Sequence, residues 1–136
     1  RMRVLLDTNI LLDVLLDRAP FAADASTLWA ACDAGTLVAF IPASTLTDIF
    51  YIARRASDIA TARIAIGLCL AAFQTLPVDR QALEHATTLP GNDFEDNVQI
   101  ACATIAGLDA IVTRNGADYA DAPIAVLSPS ELVARL

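Results

Sequence analysis

The residues of this chain that could do chemistry are acidic, and they occur in four segments far apart in the sequence. They are Asp7, Asp48, the group Asp93, Glu95 and Asp96, and finally Asp118. Carboxylates that lie within a few ångströms of one another raise one another's pKa unless cations neutralise them. Oxygen ligands of this kind suit Mg²⁺ or Mn²⁺. A fold that brings the four segments together would therefore build a divalent cation site.

Each acidic segment also has a purely structural explanation. Asp7 follows the apolar run Val4-Leu5-Leu6 and could cap the next helix, and Asp48 could lie on a solvated helix face. The group at Asp93 to Asp96 opens an apolar helix, where the helix dipole favours negative charge, and Asp93 fits a cap. Thr113, Asn115 and Asp118 are also typical turn residues. Only their joint arrangement indicates a site.

The composition excludes several other kinds of active site. The formal net charge is −7, all nine basic residues are arginine, and His85 is the single histidine. Without lysine, a phosphate-binding loop, a Schiff-base enzyme and a phosphorelay receiver are all disfavoured. With one histidine, serine or cysteine nucleophiles lack a base, and a multi-histidine metal site cannot form within one chain. Catalysis would have to depend on carboxylates.

Cysteine usage and hydropathy bear on compartment and domain number. Cys32, Cys69 and Cys102 are widely spaced within apolar stretches, which indicates buried thiols and a cytoplasmic protein. Polar residues interrupt every apolar run before it reaches the roughly 20 residues of a membrane span, so we expect no membrane association. The length of 136 residues suits a single domain spanning residues 1–136.

Short, continuously apolar strands alternate with helices, which predicts an α/β domain with a central parallel sheet covered on both faces. The expected strands are Val4–Leu6, Leu37–Ile41, Thr75–Val78, Ala110–Val112 and Ile124–Leu127. The expected helices are Ile10–Leu16, Phe21–Ala34, Ser44–Arg55, Ile59–Phe73, Arg80–Leu89, Phe94–Ile105 and a terminal helix opened by Ser128 or Ser130. We expect Asn115-Gly116 to form a turn. Ligands of such folds bind beyond the carboxyl ends of the strands, where Asp7 and Thr113-Arg114-Asn115 lie.

Three motifs in this order resemble the PIN-domain ribonucleases, a family that includes the VapC-type toxins of toxin–antitoxin pairs. They are Leu5-Leu6-Asp7-Thr8-Asn9-Ile10-Leu11, Asp93-Phe94-Glu95-Asp96 and Ile111-Val112-Thr113-Arg114-Asn115, with Asp48 on the intervening helix. The resemblance spans nearly the whole chain. It implies a three-layer α/β/α PIN-like domain that binds Mg²⁺ or Mn²⁺ and cleaves RNA by attack of water on a phosphodiester.

The resemblance also assigns roles to residues. Asp7, Asp48 and Asp96 would be metal-binding carboxylates, and Asp118 would be the fourth, because the alternative position holds Asn115. Thr113 or Asn115 would order the site by hydrogen bonds. Asn9, in the first motif, and Asp93 would support it.

The resemblance extends to partners, which would be an RNA substrate and a cognate antitoxin that covers the acidic site, with an arginine inserted near Asp7 and Asp96. The high apolar fraction leaves room for a homodimer face. An acidic protein binds RNA poorly, because affinity for phosphates comes from basic residues. Arg54, Arg55, Arg63 and Arg114 could form a local basic rim, although the simpler explanation of these residues is solubility. Tyr51 and Trp29 could stack on bases but are expected to be core or interface residues.

Two alternative functions remain open at the level of sequence. Many PIN relatives carry glutamate where this chain has Asp48, so a catalytically silent PIN-like binding scaffold is one alternative. A metal-dependent phosphatase or a receiver-like domain is the other. The missing lysine and the lack of an Asp-x-Asp motif after the first strand disfavour it.

Overall fold

A computed structural model describes all residues, 1–136, and shows a five-stranded sheet flanked by seven α-helices. The strands are Arg3–Leu6 (β1), Val38–Pro42 (β2), Gln74–Leu76 (β3), Ala110–Val112 (β4) and Ala125–Leu127 (β5). The helices are Thr8–Leu15 (α1), Ala22–Asp33 (α2), Ala43–Ala56 (α3), Ile59–Ala72 (α4), Arg80–Thr87 (α5), Phe94–Ile105 (α6) and Pro129–Val133 (α7). None of the helices is long and apolar enough to span a membrane.

All strand pairings are parallel, in the order β3-β2-β1-β4-β5, which confirms the α/β/α prediction. The chain runs outward from β1 through β2 to β3 and then returns to the other side of β1 with β4. The boundary between β1 and β4 is therefore the topological switch point, where folds of this kind bind ligands. Asp7 continues this pairing, because its backbone N–H donates to the Val112 carbonyl oxygen at 2.9 Å.

Successive side chains of a strand point to opposite faces of the sheet, so the core consists of two layers. Val4 and Leu6 belong to a large apolar cluster beneath α1, α2, α3, α4 and α7. Leu5, between them, belongs to a smaller cluster with α5 and α6 on the opposite face. All three side chains are at most 1 % exposed. Each contributes roughly 1.5–3 kcal/mol of hydrophobic stabilisation.

Local sequence accounts for most element ends. Gly35 and Gly107 follow α2 and α6 with φ of +78° and +64°, which glycine adopts without strain. Ser128 opens α7 in a reciprocal capping box with Glu131. The expected Asn115-Gly116 turn is instead the entry to a 3-10 helix at Gly116–Tyr119. That helix brings the Tyr119 ring into the smaller core cluster.

One buried ion pair ties the segment after β4 to α1. Asp13 is 1 % exposed, and Arg114 donates to both of its carboxylate oxygens, from Nε at 2.9 Å and from Nη2 at 3.2 Å. The Arg114 guanidinium also lies 4.1 Å from the centre of the Phe21 ring, and Arg18 approaches Asp13 at 3.7 Å. The prediction that Arg114 joins a basic rim is therefore wrong, since its charge is used inside the fold.

Substituting Arg114→Met should destabilise the protein by about 3 kcal/mol, because it leaves the buried Asp13 carboxylate with only the longer contact to Arg18. Urea denaturation monitored by circular dichroism measures this loss. The matched control is Arg54→Met, which removes an exposed arginine that forms no ion pair and should cost less than about 0.5 kcal/mol. Equal losses in the two variants would contradict the role assigned to Arg114.

Candidate functional site

An open cleft of about 450 Å³ lies at the carboxyl edge of the sheet, over the boundary between β1 and β4. The sequence-predicted residues that line it are Asp7, Asn9, Asp48, Asp93, Asp96, Asn115 and Asp118. Thr113 lies directly behind them and contacts Asp7. The structure thus brings all eight residues to one place. They come from the end of β1, from α1 and α3, from the start of α6, and from the segment after β4 with its 3-10 helix.

Asp7 is the most enclosed of these carboxylates, with 7 % of its surface exposed. It occupies the position before α1, but its side chain makes no capping hydrogen bond. Instead, the Thr113 hydroxyl donates to Oδ2 at 2.8 Å and the Gln99 amide donates to Oδ1 at 3.3 Å. Each oxygen therefore has one neutral donor, which fixes the carboxylate orientation and leaves its remaining lone pairs for the cleft.

Asp96 projects from the first turn of α6. Its Oδ1 accepts a hydrogen bond from the buried Tyr119 hydroxyl at 3.1 Å. Burial, together with the negative charges of Asp93, Asp7 and Asp118, raises the pKa of Asp96 to about 6, and the Tyr119 hydrogen bond opposes that rise. The same surroundings raise the pKa of the Tyr119 hydroxyl, mainly through burial, so it remains a hydrogen-bond donor.

Asp48 reaches the cleft from α3 and faces Glu95 at the start of α6. The contact with the Asp48 carboxyl is the main reason that the pKa of Glu95 rises to about 7, and burial adds to it. Two carboxyl groups in contact hold one proton between them more readily than two negative charges. This pair extends the acidic lining toward the outer side of the cleft.

The other predicted residues contribute less to the acidic lining of the cleft, or serve the structure around it. Asp93 is the N-cap of α6, because its Oδ1 accepts a hydrogen bond from the Asp96 backbone N–H at 3.1 Å. Asn9 accepts a long hydrogen bond of 3.5 Å from Arg18. Asn115 and Asp118 are exposed on the far rim. The Asn115 backbone N–H donates to the Thr113 hydroxyl oxygen at 3.0 Å, and the Asn115 carbonyl oxygen accepts a hydrogen bond from the Asp118 backbone N–H at 3.0 Å.

The chemistry of the lining fits a hard divalent cation. The donors facing the cleft are carboxylate and amide oxygens, and the Gln99 Oε1 atom is buried without a hydrogen-bond partner. No three His, Cys, Asp or Glu side chains lie close enough to one another to form a ready-made metal cage. Like charges repel one another, which keeps the carboxylates of the empty cleft apart. A bound cation would offset that repulsion and allow them to approach.

Sequence reasoning missed Gln99 and Tyr119, and it named Glu95 in the acidic group without giving it a role in the site. Gln99, Glu95 and Tyr119 contact Asp7, Asp48 and Asp96 respectively. Gln99 could have been found, because it is an amide three residues after Asp96 within the apolar stripe of α6. Glu95 was visible in the acidic group but had no partner in the sequence. Nothing in the sequence indicates Tyr119 as a site residue, because its contact with Asp96 depends on the 3-10 helix.

Of the two aromatic residues considered in the sequence, one lies in the core and the other is exposed. Trp29 packs against Phe73 in an edge-to-face contact with ring centres 4.6 Å apart, as expected of a core residue. Tyr51 is 60 % exposed and lines the cleft, so a place in the core is wrong for it. The reason is its position on α3, on the side turned away from the sheet.

Comparisons with known proteins agree with the fold. The profile of the PIN-domain family matches residues 3–117. No curated protein matches the chain. Among solved structures, the chain is similar to a toxin–antitoxin complex from Klebsiella pneumoniae, at 24 % identity and a TM-score of 0.69, covering 93 % of this chain and 97 % of that one.

Two further structures are similar at lower identity. VapC20 of Mycobacterium tuberculosis, a Sarcin-Ricin loop cleaving toxin, has a TM-score of 0.70 at 16 % identity, covering 87 % of this chain and 94 % of that one. DNA-bound VapBC from Salmonella typhimurium has a TM-score of 0.70 at 18 % identity, covering 95 % and 99 %. At these identities the likeness concerns the fold.

The raised pKa of Asp96 predicts how stability depends on pH in chelator. Between its ordinary value of 3.8 and about 6, the folded chain binds more protons at Asp96 than the unfolded chain does. Stability contributed by this group is therefore present at low pH and is lost as pH rises through 6. Asp96→Asn, which cannot ionise, should melt at a higher temperature than the wild type at pH 8.

The difference between the two proteins should shrink toward pH 4, where wild-type Asp96 is protonated. Thermal melts in EDTA measure it, and Asp33→Asn is the control because Asp33 is exposed on α2 outside the cleft. If Asp96→Asn had the same melting temperature as the wild type at both pH values, the neighbouring charges would not destabilise the ionised Asp96 carboxylate.

Proposed function

The chain belongs to the PIN-domain family, because the family profile matches residues 3–117, and from this premise we propose that it is a metal-dependent endoribonuclease. The observation that carries the proposal is the convergence of Asp7, Asp48, Asp96 and Asp118 on one cleft at the switch point of the sheet. The whole of residues 1–136 would form a single PIN-like unit. The similarity to VapC20, a Sarcin-Ricin loop cleaving toxin, supports RNA as the substrate.

In this proposal Asp7, Asp48, Asp96 and Asp118 would hold Mg²⁺ or Mn²⁺. A divalent ion in such a site activates water and offsets the charge that develops on a phosphodiester during in-line attack. Thr113 and Gln99 keep Asp7 aimed at the cleft, and Tyr119 does the same for Asp96. Asp48 is one methylene shorter than glutamate, and Glu95 beside it supplies additional negative charge.

The proposed biological setting is that of a cytoplasmic toxin with a cognate antitoxin. The similar structures include a toxin–antitoxin complex and VapBC, in each of which the toxin is bound to its own antitoxin. An acidic cleft with no free arginine of its own suits an antitoxin that inserts one, since guanidinium and carboxylate pair strongly. In the absence of that partner, the cleft would be open to a cation and to RNA.

The test of the enzymatic proposal is cleavage of a mixed RNA panel in Mn²⁺, Mg²⁺ and EDTA. Asp7→Asn and Asp96→Asn should each lower the cleavage rate by at least about 100-fold, because each removes a charged ligand of the ion. Asp33→Asn should cut at the wild-type rate. Cleavage that survives both cleft substitutions, or that continues in EDTA, would remove the assignment. Manganese binding without cleavage would favour a silent PIN-like scaffold.

A homodimer is the second part of the proposal. Four large apolar side chains of α4 are exposed by 43–64 %, namely Ile59, Ile64, Leu68 and Leu70. Of these, Ile64 and Leu68 lie one helical turn apart on the same side of α4, and burial of that side against a second copy would stabilise a dimer. Light scattering should give twice the 14.4 kDa of one chain, and Ile64→Asp should lower that mass. A wild-type protein that elutes as a monomer would exclude the dimer.

A further inference from the structure

The outer ridge of α3 carries side chains that the proposed chemistry does not use. Tyr51 is 60 % exposed, lines the same cleft as Asp48, and takes part in no side-chain hydrogen bond. It contacts Phe50 edge to face, with ring centres 5.5 Å apart and an angle of 87°. Phe50 is packed against the main core, so it steadies Tyr51, and the exposure of Tyr51 leaves ring surface free for a ligand.

Helix geometry aligns this ring with the site. In an α-helix, positions i, i+3 and i+7 share one side, and each residue adds 1.5 Å along the axis. Tyr51 and Arg55 therefore follow Asp48 along one ridge, at about 4.5 Å and about 10.5 Å of axial distance. The ridge leads from a proposed metal ligand, past an exposed aromatic ring, to a cation.

The cation at the end of the ridge is free. Arg55 is exposed and forms no ion pair, and the same holds for its neighbour Arg54. In the last turn of α3 these charges also complement the helix dipole. In a protein of net charge −7, they form a local region where a phosphate group is attracted. The acidic cleft beside them attracts a phosphate only when it holds a cation.

We propose that the ridge formed by Asp48, Tyr51 and Arg55 is the track that binds single-stranded RNA next to the cleaved phosphodiester. One unpaired base stacks on the free face of Tyr51, and a neighbouring phosphate pairs with Arg55. The inference rests on the proposed nuclease function and adds a requirement on the substrate. Bases within a duplex are already stacked, so the track selects loops and single strands over double helices.

The experiment compares the wild type, Tyr51→Phe, Tyr51→Leu and Arg55→Gln on one RNA oligonucleotide, both single-stranded and annealed to its complement, in Mn²⁺. Tyr51→Leu should raise KM for the single strand about tenfold, with kcat nearly unchanged, because a stacking contact is lost. Tyr51→Phe should behave as the wild type. The duplex should be cut poorly by all four proteins. Leu83→Ala and Arg135→Gln are controls on exposed residues away from the ridge.

Salt dependence separates the two contacts. Binding of the same labelled strand to Asp7→Asn, which is designed not to cut, is measured by fluorescence anisotropy at several salt concentrations. Adding Arg55→Gln should weaken binding and reduce the slope of log affinity against log salt by about 0.7, the value for one phosphate contact on a single strand. Adding Tyr51→Leu should weaken binding about tenfold at an unchanged slope.

The outcomes distinguish this inference from the proposed function. If the wild type cuts RNA while the ridge variants keep its KM and its affinity, the track is wrong and the nuclease assignment stands. If the wild type cuts no RNA, the nuclease assignment fails, and the anisotropy series still decides the track. A Tyr51→Leu variant that changes the molar mass but not RNA affinity would mean that a second copy covers the ridge, which overturns the proposal.

Discussion

Repulsion between carboxylates that share one edge of a buried parallel sheet is the interaction on which the rest of this molecule depends. A sheet covered on both faces offers little water to the groups at its switch point, so the enclosed Asp7 carboxyl group needs hydrogen-bond partners within the protein. Neutral groups supply these contacts. The Thr113 hydroxyl and the Gln99 amide donate to Asp7, and the Tyr119 hydroxyl donates to Asp96. These donors orient the charges without cancelling them. The negative potential thus stays directed into the cleft.

The fold could be predicted from the sequence because its signals are local. The strands of a doubly covered sheet are short apolar runs, and glycine, proline and capping residues mark where helices begin and end. Ala110–Val112 agrees with the predicted strand at both ends, and Gly35 and Gly107 lie just after α2 and α6. The weakest prediction was β3, which lies at Gln74–Leu76 rather than Thr75–Val78. Asp79 caps α5 there, and the capped turn takes the last residues out of the sheet.

The candidate site was only partly predictable, because it is assembled by long-range contacts. The acidic residues were visible as strand-end and helix-start carboxylates, and topology alone brings such positions together. Their ligand roles came from the family resemblance and stay predictions. Arg114 was placed wrongly, since its partner lies 101 residues earlier in the sequence. Tyr51 lies outside the core because one helical residue more or less changes the face that a side chain occupies, and its place in an interface stays a prediction. Burial of Gln99 behind Asp7 depends on the packing of α6 against β1.

The Asp13–Arg114 pair has a consequence for how the molecule loses its structure. Arg114 follows Thr113, which holds Asp7, and Asp13 lies on the helix that begins just after Asp7. The ion pair therefore closes a ring of contacts through β1, α1 and the end of β4. A ring of this kind gives way as a unit, since opening any link exposes a buried charge at the next. The mouth of the cleft should consequently have no melting step of its own, separate from global unfolding.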